Sequence, residues 1–371
     1  MKKELRVIIS GGGTGGHIFP AVSIANAIKA KRPETKILFV GALGRMEMER
    51  VPAAGYEIKG LPIAGFNRKN VLKNVPVVFK ILKSRQMARK ILKAFKPDVA
   101  VGVGGYASGP TLNVAGALGI PTLIQEQNSY AGVTNKLLAK KAKCICVAYD
   151  GMERFFPPGA IRFTGNPVRQ DLLDATLSKD EAVMSFGLVP GKRTILILGG
   201  SLGARTINDC LLGNIPLVKQ QNKVQFIWQT GGYYSELIQA ELKRRGCPSN
   251  LHVTDFISQM KQAYAAADLV ISRAGAGSIS ELCLLGKPAI LVPSPNVAED
   301  HQTKNALALV QKNAALLVTD ENARRTLLPL AINTVNEREK LEELSRNIVK
   351  LARPEAASDI ADEVIQLAEG K

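Results

Sequence analysis

Short apolar runs alternate with helical patterns along the first 150 residues. The run 5–10 (LRVIIS) is rich in β-branched residues, a glycine-rich loop follows it, and AVSIANAIKAK then has apolar residues at helical spacing. This pattern predicts a strand, a loop and a helix. Similar runs predict further strands at 36–40, 98–103, 121–125 and 144–148. Such alternation is typical of α/β proteins with a mostly parallel, doubly wound sheet.

The same alternation restarts near residue 193. RTILIL (193–198) predicts a strand, GGSLGA a second glycine loop, and later apolar runs predict strands at 224–229, 251–253, 269–272 and 289–292. A single domain seldom exceeds about 200 residues. We therefore expect two similar α/β domains, residues 1–166 and 167–352, with residues 353–371 forming a helix that returns to the first domain.

The loop SGGGTGGHIFP (residues 10–20) indicates phosphate chemistry. Glycines between a strand and a helix expose backbone N–H groups at a helix start, where anions bind. The loop also satisfies the dinucleotide pattern GxGxxG, but no carboxylate ends the second predicted strand, and the nearest downstream is Glu47. A nicotinamide oxidoreductase needs that carboxylate and is disfavoured. A tight turn is the plainer alternative, although further clusters at 104–105 and 199–203 exceed what turns need.

His17 ends this loop where the first helix is predicted to start. The field of a helix N-terminus disfavours a charged imidazole, so we expect a neutral ring that can accept a proton as a general base. A packing or capping histidine is the alternative. The stretch RAGAGSISELCLL (273–285) offers a similar choice. Ser278 and Glu281 fit a capping box, whereas the functional interpretation is an anion-binding helix start with Glu281 accepting hydrogen bonds from sugar hydroxyls.

Charge and composition narrow the possible partners. The net charge is +17, and residues 59–97 contain eleven Lys or Arg but no Asp or Glu, which indicates an anionic partner. Residues 77–95 predict a basic helix with one broad apolar face formed by Val78, Ile81, Leu82, Ala88, Ile91, Leu92 and Phe95. Aromatic residues make up only 5% of the chain, which disfavours nucleic acid. Neither Asp-x-Asp nor HExxH occurs, so we expect no metal and no cofactor.

Seven ordered motifs together resemble the peptidoglycan N-acetylglucosaminyltransferases. These motifs are GGGTGGHIFP, GVGGYASGP, QEQNSYAG, TGNPVR, GGSLGA, SRAGAGSISEL and EDHQTKNA. The resemblance implies a GT-B fold, in which both domains are Rossmann-like and an inter-domain cleft lies between them. It also implies inverting, metal-independent transfer of N-acetylglucosamine from UDP-N-acetylglucosamine to the C4 hydroxyl of undecaprenyl-diphospho-N-acetylmuramoyl-pentapeptide, which converts lipid I to lipid II. The nearest alternative is a glycolipid synthase that uses a diacylglycerol acceptor.

The resemblance also implies roles for individual residues. His17 would be the base. The donor site would comprise Thr14, Gly15, Gly16, Asn128, Arg169, Ser201, Ile257, Ala276, Gly277, Ser278, Glu281 and Gln302. The acceptor diphosphate would meet Gly13, Gly104, Gly105 and Tyr106. Because the acceptor is a polyprenyl lipid, the basic helix is expected to attach the protein peripherally to the anionic cytoplasmic face of the cell membrane.

Overall fold

The computed structural model describes residues 4–65, 75–168, 172, 177–200 and 202–370. The chain divides into two units. Unit 1 comprises Met1–Arg169 and Arg353–Lys371, and unit 2 comprises Gln170–Ala352. Each unit is built around one sheet in which the described strand pairs are all parallel.

The strands of unit 1 are β1 (Arg6–Ser10), β2 (Lys36–Ala42), β3 (Glu57–Leu61), β4 (Val99–Gly102), β5 (Thr122–Glu126), β6 (Cys144–Val147) and β7 (Ile161–Phe163). Their order across the sheet is β3-β2-β1-β4-β5-β6-β7. The strands of unit 2 are β8 (Arg193–Leu198), β9 (Val224–Gln229), β10 (Leu251–Thr254), β11 (Leu269–Ser272), β12 (Ala289–Leu291) and β13 (Leu316–Leu317). Their order is β10-β9-β8-β11-β12-β13, which repeats the topology of the first six strands of unit 1.

Helices cover both sheets. In unit 1 they are α1 (Gly15–Lys31), α2 (Glu47–Ala53), α3 (Val75–Phe95), α4 (Ser108–Ala117) and α5 (Val133–Ala139). Unit 2 contains α6 (Lys179–Ser185), α7 (Arg205–Gly213), α8 (Ile215–Lys219), α9 (Ser235–Arg245), α10 (Met260–Ala266), α11 (Ala276–Leu284), α12 (His301–Val310), α13 (Ala323–Asn336) and α14 (Arg338–Val349), and α15 (Ala356–Ala368) completes unit 1. Within the described ranges, none of these helices is both long enough and apolar enough to span a bilayer.

Strand β1 shows why the sequence forms this layered core. Val7 and Ile9 point to one face and pack with α1 and α15, whereas Ile8 points to the other face and packs with α3 and α4. All three side chains are fully buried, as expected for a strand with helices on both faces. Helix α15 is further tied to α1 by the Lys31–Asp362 and Arg32–Glu369 ion pairs.

The strands predicted from apolar runs are confirmed to within two residues at each end. Of the described strands, three were not predicted from the sequence: β3, β7 and β13. The sequence of β3, EIKGL, contains a glycine and two charges, and its exposed Glu57 and Lys59 alternate with partly buried residues. β3 and β7 are edge strands, which need fewer apolar residues because one long side of the strand has no neighbour in the sheet.

The basic helix is confirmed as α3, but its apolar residues do not form one buried face. Ala88 and Leu92 are 1% exposed and pack into the core, whereas Val78 and Leu82 are 50% and 56% exposed. Phe79 is 68% exposed beside them. The broad face of the prediction therefore divides into a buried stripe and an apolar strip that faces solvent.

Candidate active site

Because the strands within each sheet are parallel, their carboxyl ends meet at one edge of that sheet, where open α/β sheets bind ligands. In unit 1 this edge carries the first glycine loop after β1. Helix α1 starts at Gly15 with Thr14 as its N-cap, no described side chain caps it, and its first turn contains no acidic residue. Thr14, Gly15 and Gly16 thus lie at an uncapped helix N-terminus, which favours an anion.

Glu47 reaches into this loop from the start of α2. It is 1% exposed, and its carboxylate accepts the N–H of Gly13 at Oε2 (2.8 Å) and the N–H of Ala42 at Oε1 (3.0 Å). A Cβ on Gly12 would lie 2.2 Å from the Glu47 carboxyl carbon, and a Cβ on Gly41 would lie 2.6 Å from its Cγ. Two of the glycines at this edge therefore make room for a side chain of the protein itself.

Glu47 was not singled out as a site residue from the sequence, although the structure places it beside the loop that contains His17. The sequence showed no carboxylate at the end of β2, yet the first turn of α2 folds one back to that position. Its two oxygens already accept backbone N–H groups of Gly13 and Ala42. The ribose contact of a nicotinamide site would require these acceptors, so this geometry also disfavours an oxidoreductase. A signal was present in the sequence: Glu47 is the first carboxylate after a strand that ends in glycine.

His17 lies in the first turn of α1 against the same loop. Its Nδ1 is 3.0 Å from the carbonyl oxygen of Gly12 and 3.4 Å from Thr14 Oγ1. A carbonyl oxygen can only accept, so in the neutral ring this contact assigns the proton to Nδ1 and the lone pair to Nε2. A Cβ on Gly104 would lie 2.8 Å from His17 Nε2. The basic nitrogen therefore lies beside the second glycine cluster.

Gly104 and Gly105 follow β4, the neighbour of β1. Both have positive φ (96° and 85°), and a Cβ on Gly105 would lie 2.3 Å from the Gly12 carbonyl oxygen. Neither position accepts a side chain, because one at Gly104 would meet the His17 ring and one at Gly105 would meet the backbone of the first loop. The next residue, Tyr106, is half exposed and packs over Gly65. The structure thus brings the candidate acceptor residues Gly13, Gly104 and Gly105 together around His17.

Asn128 lies in the loop after β5 and is oriented by Glu126. The Asn128 backbone N–H and Nδ2 both donate to Glu126 Oε1, at 3.1 and 3.3 Å. The other carboxylate oxygen accepts the N–H of Gly132 (3.0 Å) and Nδ2 of Asn135 (2.8 Å). Glu126 is 3% exposed. This buried carboxylate fixes the loop that presents Asn128 and was not singled out from the sequence.

In unit 2, α11 begins near the end of β11. The predicted capping box is wrong: the helix starts at Ala276 with Gly275 as N-cap, so Ser278 lies inside the first turn. Glu281 instead accepts a hydrogen bond from the hydroxyl of Tyr264 (2.8 Å). The capping explanation for Glu281 therefore fails, and its sugar-binding role stays a prediction. Tyr264 is a further residue that the sequence pattern did not reveal.

The loop into α11 is open. No described atom lies within 4 Å of a Cβ built on Gly277, and only Ser278 Oγ (3.9 Å) approaches one on Gly275. Arg273 braces the base of the loop, since its guanidinium donates to the carbonyls of Val292 and Pro293 (both 3.1 Å) and pairs with Asp320. The amides of Ala276, Gly277 and Ser278 thus lie in the first turn of a helix whose preceding loop is held by Arg273.

The remaining donor candidates of unit 2 lie at the same sheet edge. Ile257 follows β10 and is 4% exposed, next to Phe256, which is 57% exposed and was not singled out from the sequence. Gln302 lies in the first turn of α12, where its Oε1 accepts the N–H of Ser294 (2.9 Å). Arg169 and Ser201 lie outside the described residues.

Neither a metal centre nor a reactive thiol emerges from the titratable groups. Within the described ranges, no three His, Cys, Asp or Glu side chains are grouped so that they could hold a metal ion. Cys144 and Cys146 are buried in β6 with sulfur atoms 3.8 Å apart, and the hydrogen bond between the two thiols together with burial raises the pKa of Cys146. Burial raises the pKa of Cys283 to about 12. These thiols are core residues.

Comparison with known proteins gives matches along both units. The profile of the glycosyltransferase family 28 N-terminal domain matches residues 7–147, and that of the C-terminal domain matches residues 194–364. A Phocaeicola vulgatus protein is 67% identical over 369 residues, covering 100% of this chain and 98% of that protein. A Porphyromonas gingivalis protein (strain W83) is 54% identical over 368 residues, covering 99% and 96%. Both are named UDP-N-acetylglucosamine--N-acetylmuramyl-(pentapeptide) pyrophosphoryl-undecaprenol N-acetylglucosamine transferase.

Solved structures agree on the fold. The crystal structure of Acinetobacter baumannii MurG matches with a TM-score of 0.77 and 31% identity, covering 98% of this chain and 99% of that one. CalG4, the calicheamicin glycosyltransferase, matches with a TM-score of 0.69 at 14% identity over 98% of both chains, which shows the fold alone. The prediction of two Rossmann-like domains of the GT-B class is confirmed. On the two domain profiles and the full-length relatives, the chain belongs to glycosyltransferase family 28.

Proposed function

We propose that this protein transfers N-acetylglucosamine from UDP-N-acetylglucosamine to the C4 hydroxyl of lipid I, with inversion at the anomeric carbon and without a metal. The relatives from Phocaeicola vulgatus and Porphyromonas gingivalis are named for this transfer. The observation that carries the mechanism is the contact between His17 Nδ1 and the Gly12 carbonyl, because it directs the lone pair of the ring to Nε2.

In the proposed reaction, His17 Nε2 takes the proton of the acceptor C4 hydroxyl while that oxygen attacks the anomeric carbon of the donor sugar. The bond from this carbon to the diphosphate breaks on the opposite side, and UDP leaves with the bonding electrons. The acceptor diphosphate would bind near the uncapped start of α1, which carries a partial positive charge, beside the loop that contains Gly104 and Gly105. Unit 1 therefore supplies the base and the acceptor contacts.

Unit 2 supplies the main donor contacts in this proposal. The N–H groups of Ala276, Gly277 and Ser278 lie in the first turn of α11 and would stabilise the charge that develops on the leaving diphosphate. Glu281, oriented by Tyr264, would accept hydrogen bonds from the ribose. Gln302 would bind sugar hydroxyls, and Ile257 would contact the uracil. The donor contacts implied for Thr14, Gly15, Gly16, Asn128, Arg169 and Ser201 stay predictions.

Attachment to the cytoplasmic face of the cell membrane is the second part of the proposal. The exposed strip Val78, Phe79 and Leu82 on α3 is apolar. Exposed basic residues adjoin it at positions 80, 83, 85, 89, 90 and 93. Each Lys or Arg near an anionic bilayer contributes about 1 kcal/mol of attraction, and apolar side chains add burial in the interface.

The choice of acceptor tests the proposed function. Radiolabelled UDP-N-acetylglucosamine is incubated with the protein and either lipid I or diacylglycerol, and the lipid products are separated. We expect label in a product of lipid I and none in diacylglycerol. Label in diacylglycerol alone would instead identify a glycolipid synthase.

The membrane contact is tested by neutralising Lys80, Lys83, Arg89 and Lys90 to Gln. Sedimentation with anionic vesicles should fall, while transfer to a water-soluble acceptor analogue should stay at the wild-type rate. A matched control neutralises four exposed basic residues of unit 2: Lys219, Lys223, Lys243 and Arg244. Vesicle binding that is unchanged in the α3 variant would refute this contact.

A further inference from the structure

One peptide group links Glu47 to His17. The carbonyl of Gly12 and the N–H of Gly13 belong to the same planar amide. Its N–H donates to Glu47 Oε2 (2.8 Å), and its carbonyl accepts from His17 Nδ1 (3.0 Å). A buried carboxylate and the candidate base are therefore hydrogen-bonded to opposite ends of one amide.

The surroundings hold this amide in place from three directions. Glu47, 1% exposed, fills the space left by Gly12 and Gly41. Gly105 approaches the Gly12 carbonyl so closely that a Cβ there would lie 2.3 Å from the oxygen. The left-handed φ of Gly13 (89°) sets the turn that exposes its N–H to the carboxylate. The amide therefore has little freedom to rotate away from His17.

We propose that Glu47 is a positioning residue that acts on His17 through the Gly12–Gly13 peptide group. A carboxylate at the N–H end polarises the amide and makes its carbonyl oxygen a stronger acceptor for the His17 Nδ1–H. This secures the tautomer with its lone pair on Nε2. It also stabilises the positive charge that the ring gains when it takes a proton, in the way that partners behind a ligating or catalytic histidine raise its basicity.

The charge of Glu47 also opposes the effect that the N-terminus of α1 has on the His17 ring. The N-terminus of α1 disfavours a charged imidazole in its first turn, which lowers the strength of His17 as a base. A buried carboxylate one amide away counteracts this, since electrostatic interactions are strong in a low-dielectric interior. The arrangement resembles a carboxylate–histidine pair in which a backbone amide is inserted between the two partners.

The inference rests on the proposed function, and its test uses two readouts. The first is the tautomer of His17 in 15N-histidine-labelled protein by NMR, which is tractable because the chain has only three histidines. We expect the wild-type ring to carry its proton on Nδ1. We expect the Nδ1–H population to fall in Glu47→Gln, which keeps the side-chain volume and one acceptor oxygen but removes the charge. The exposed Glu49→Gln on the same helix is the control.

The second readout is a double-mutant cycle on the turnover number. Glu47→Gln should lower kcat by about tenfold or more, as is usual for partners behind a functional histidine, with the donor KM unchanged. In a His17→Ala background it should cause no further loss, because the residue acts through His17.

Either of two results would overturn the inference: a wild-type His17 protonated on Nε2, or losses that multiply in the double variant. The His17 tautomer is measured by NMR in the wild-type protein, so this test can be made even if Glu47→Gln does not fold. Absence of any transfer by the wild-type protein would instead count against the proposed function and leave the NMR result standing.

Discussion

The two sheets share one strand order, but the loop that follows β4 in unit 1 differs from the loop that follows β11 in unit 2. After β4, Gly104 and Gly105 are in close contact with His17 and with the backbone of the first glycine loop. After β11, the equivalent strand of unit 2, Gly275 and Gly277 face open space. Glycine thus allows close packing around the candidate base His17 in unit 1, whereas the glycines of the equivalent loop in unit 2 face open space.

The number of glycines in a loop therefore does not by itself show that the loop binds a phosphate. In the first loop of unit 1, a side chain at Gly12 is excluded by Glu47, and a side chain at Gly105 is excluded by the backbone of Gly12. The N–H of Gly13 is already bonded to that carboxylate. A Cβ on Gly277, at the start of α11, meets no described side chain. This comparison supports the proposal that unit 1 holds the base and that unit 2 makes most of the contacts to the donor diphosphate.

Replacing His17 by Ala should have the largest effect. Loss of a general base lowers turnover by about 10²–10⁴-fold. Affinity for UDP, measured by calorimetry, should stay at the wild-type value because the donor contacts lie mainly in unit 2. Wild-type turnover in this variant would falsify the assignment of the base.

Replacing Gly104 by Ala should come next. The new Cβ would lie 2.7 Å from His17 Cδ2 at a φ of 96°, so the ring has to move. A displacement of about 1 Å in a reacting group costs about 10²-fold in rate. The measurement is kcat alongside thermal unfolding, which separates lost activity from lost folding. A folded variant with full activity would show that the ring position is unimportant.

Replacing Glu281 by Ala should weaken donor binding. A hydrogen bond to a charged group contributes about 1.5–3 kcal/mol, which corresponds to a rise of about 10–100-fold in the KM for UDP-N-acetylglucosamine. Tyr264→Phe removes only the hydroxyl that orients Glu281 and should raise this KM less. An unchanged donor KM in Glu281→Ala would contradict the ribose contact.

Replacing Gly277 by Ala should have the smallest effect and is the matched partner of Gly104→Ala. No described atom obstructs the new methyl group, and the backbone N–H is retained. A helical Gly→Ala change stabilises by up to about 1 kcal/mol, seen as a higher midpoint of thermal unfolding. A collapse of donor binding would show that the loop after β11 approaches its ligand as closely as the loop after β4 approaches His17.

The fold, and the position of most candidate site residues at the carboxyl ends of the strands, could be predicted from the sequence because their signals are local. Apolar runs mark the central strands, and His17 follows its glycine loop directly. The missed features depend on contacts between distant residues. Glu47 meets Gly13 across 34 positions, and Tyr264 meets Glu281 across 17. The division of the α3 apolar face followed from the packing of α3 on the sheet, which its helical spacing does not reveal.

The central claim is that a neutral imidazole and backbone amides, without a metal, carry the transfer. The most direct measurement is the rate at which label passes from UDP-N-acetylglucosamine to lipid I in the presence of EDTA. We expect the same rate of transfer with and without the chelator. Activity that disappears with EDTA and returns when magnesium is added would contradict it.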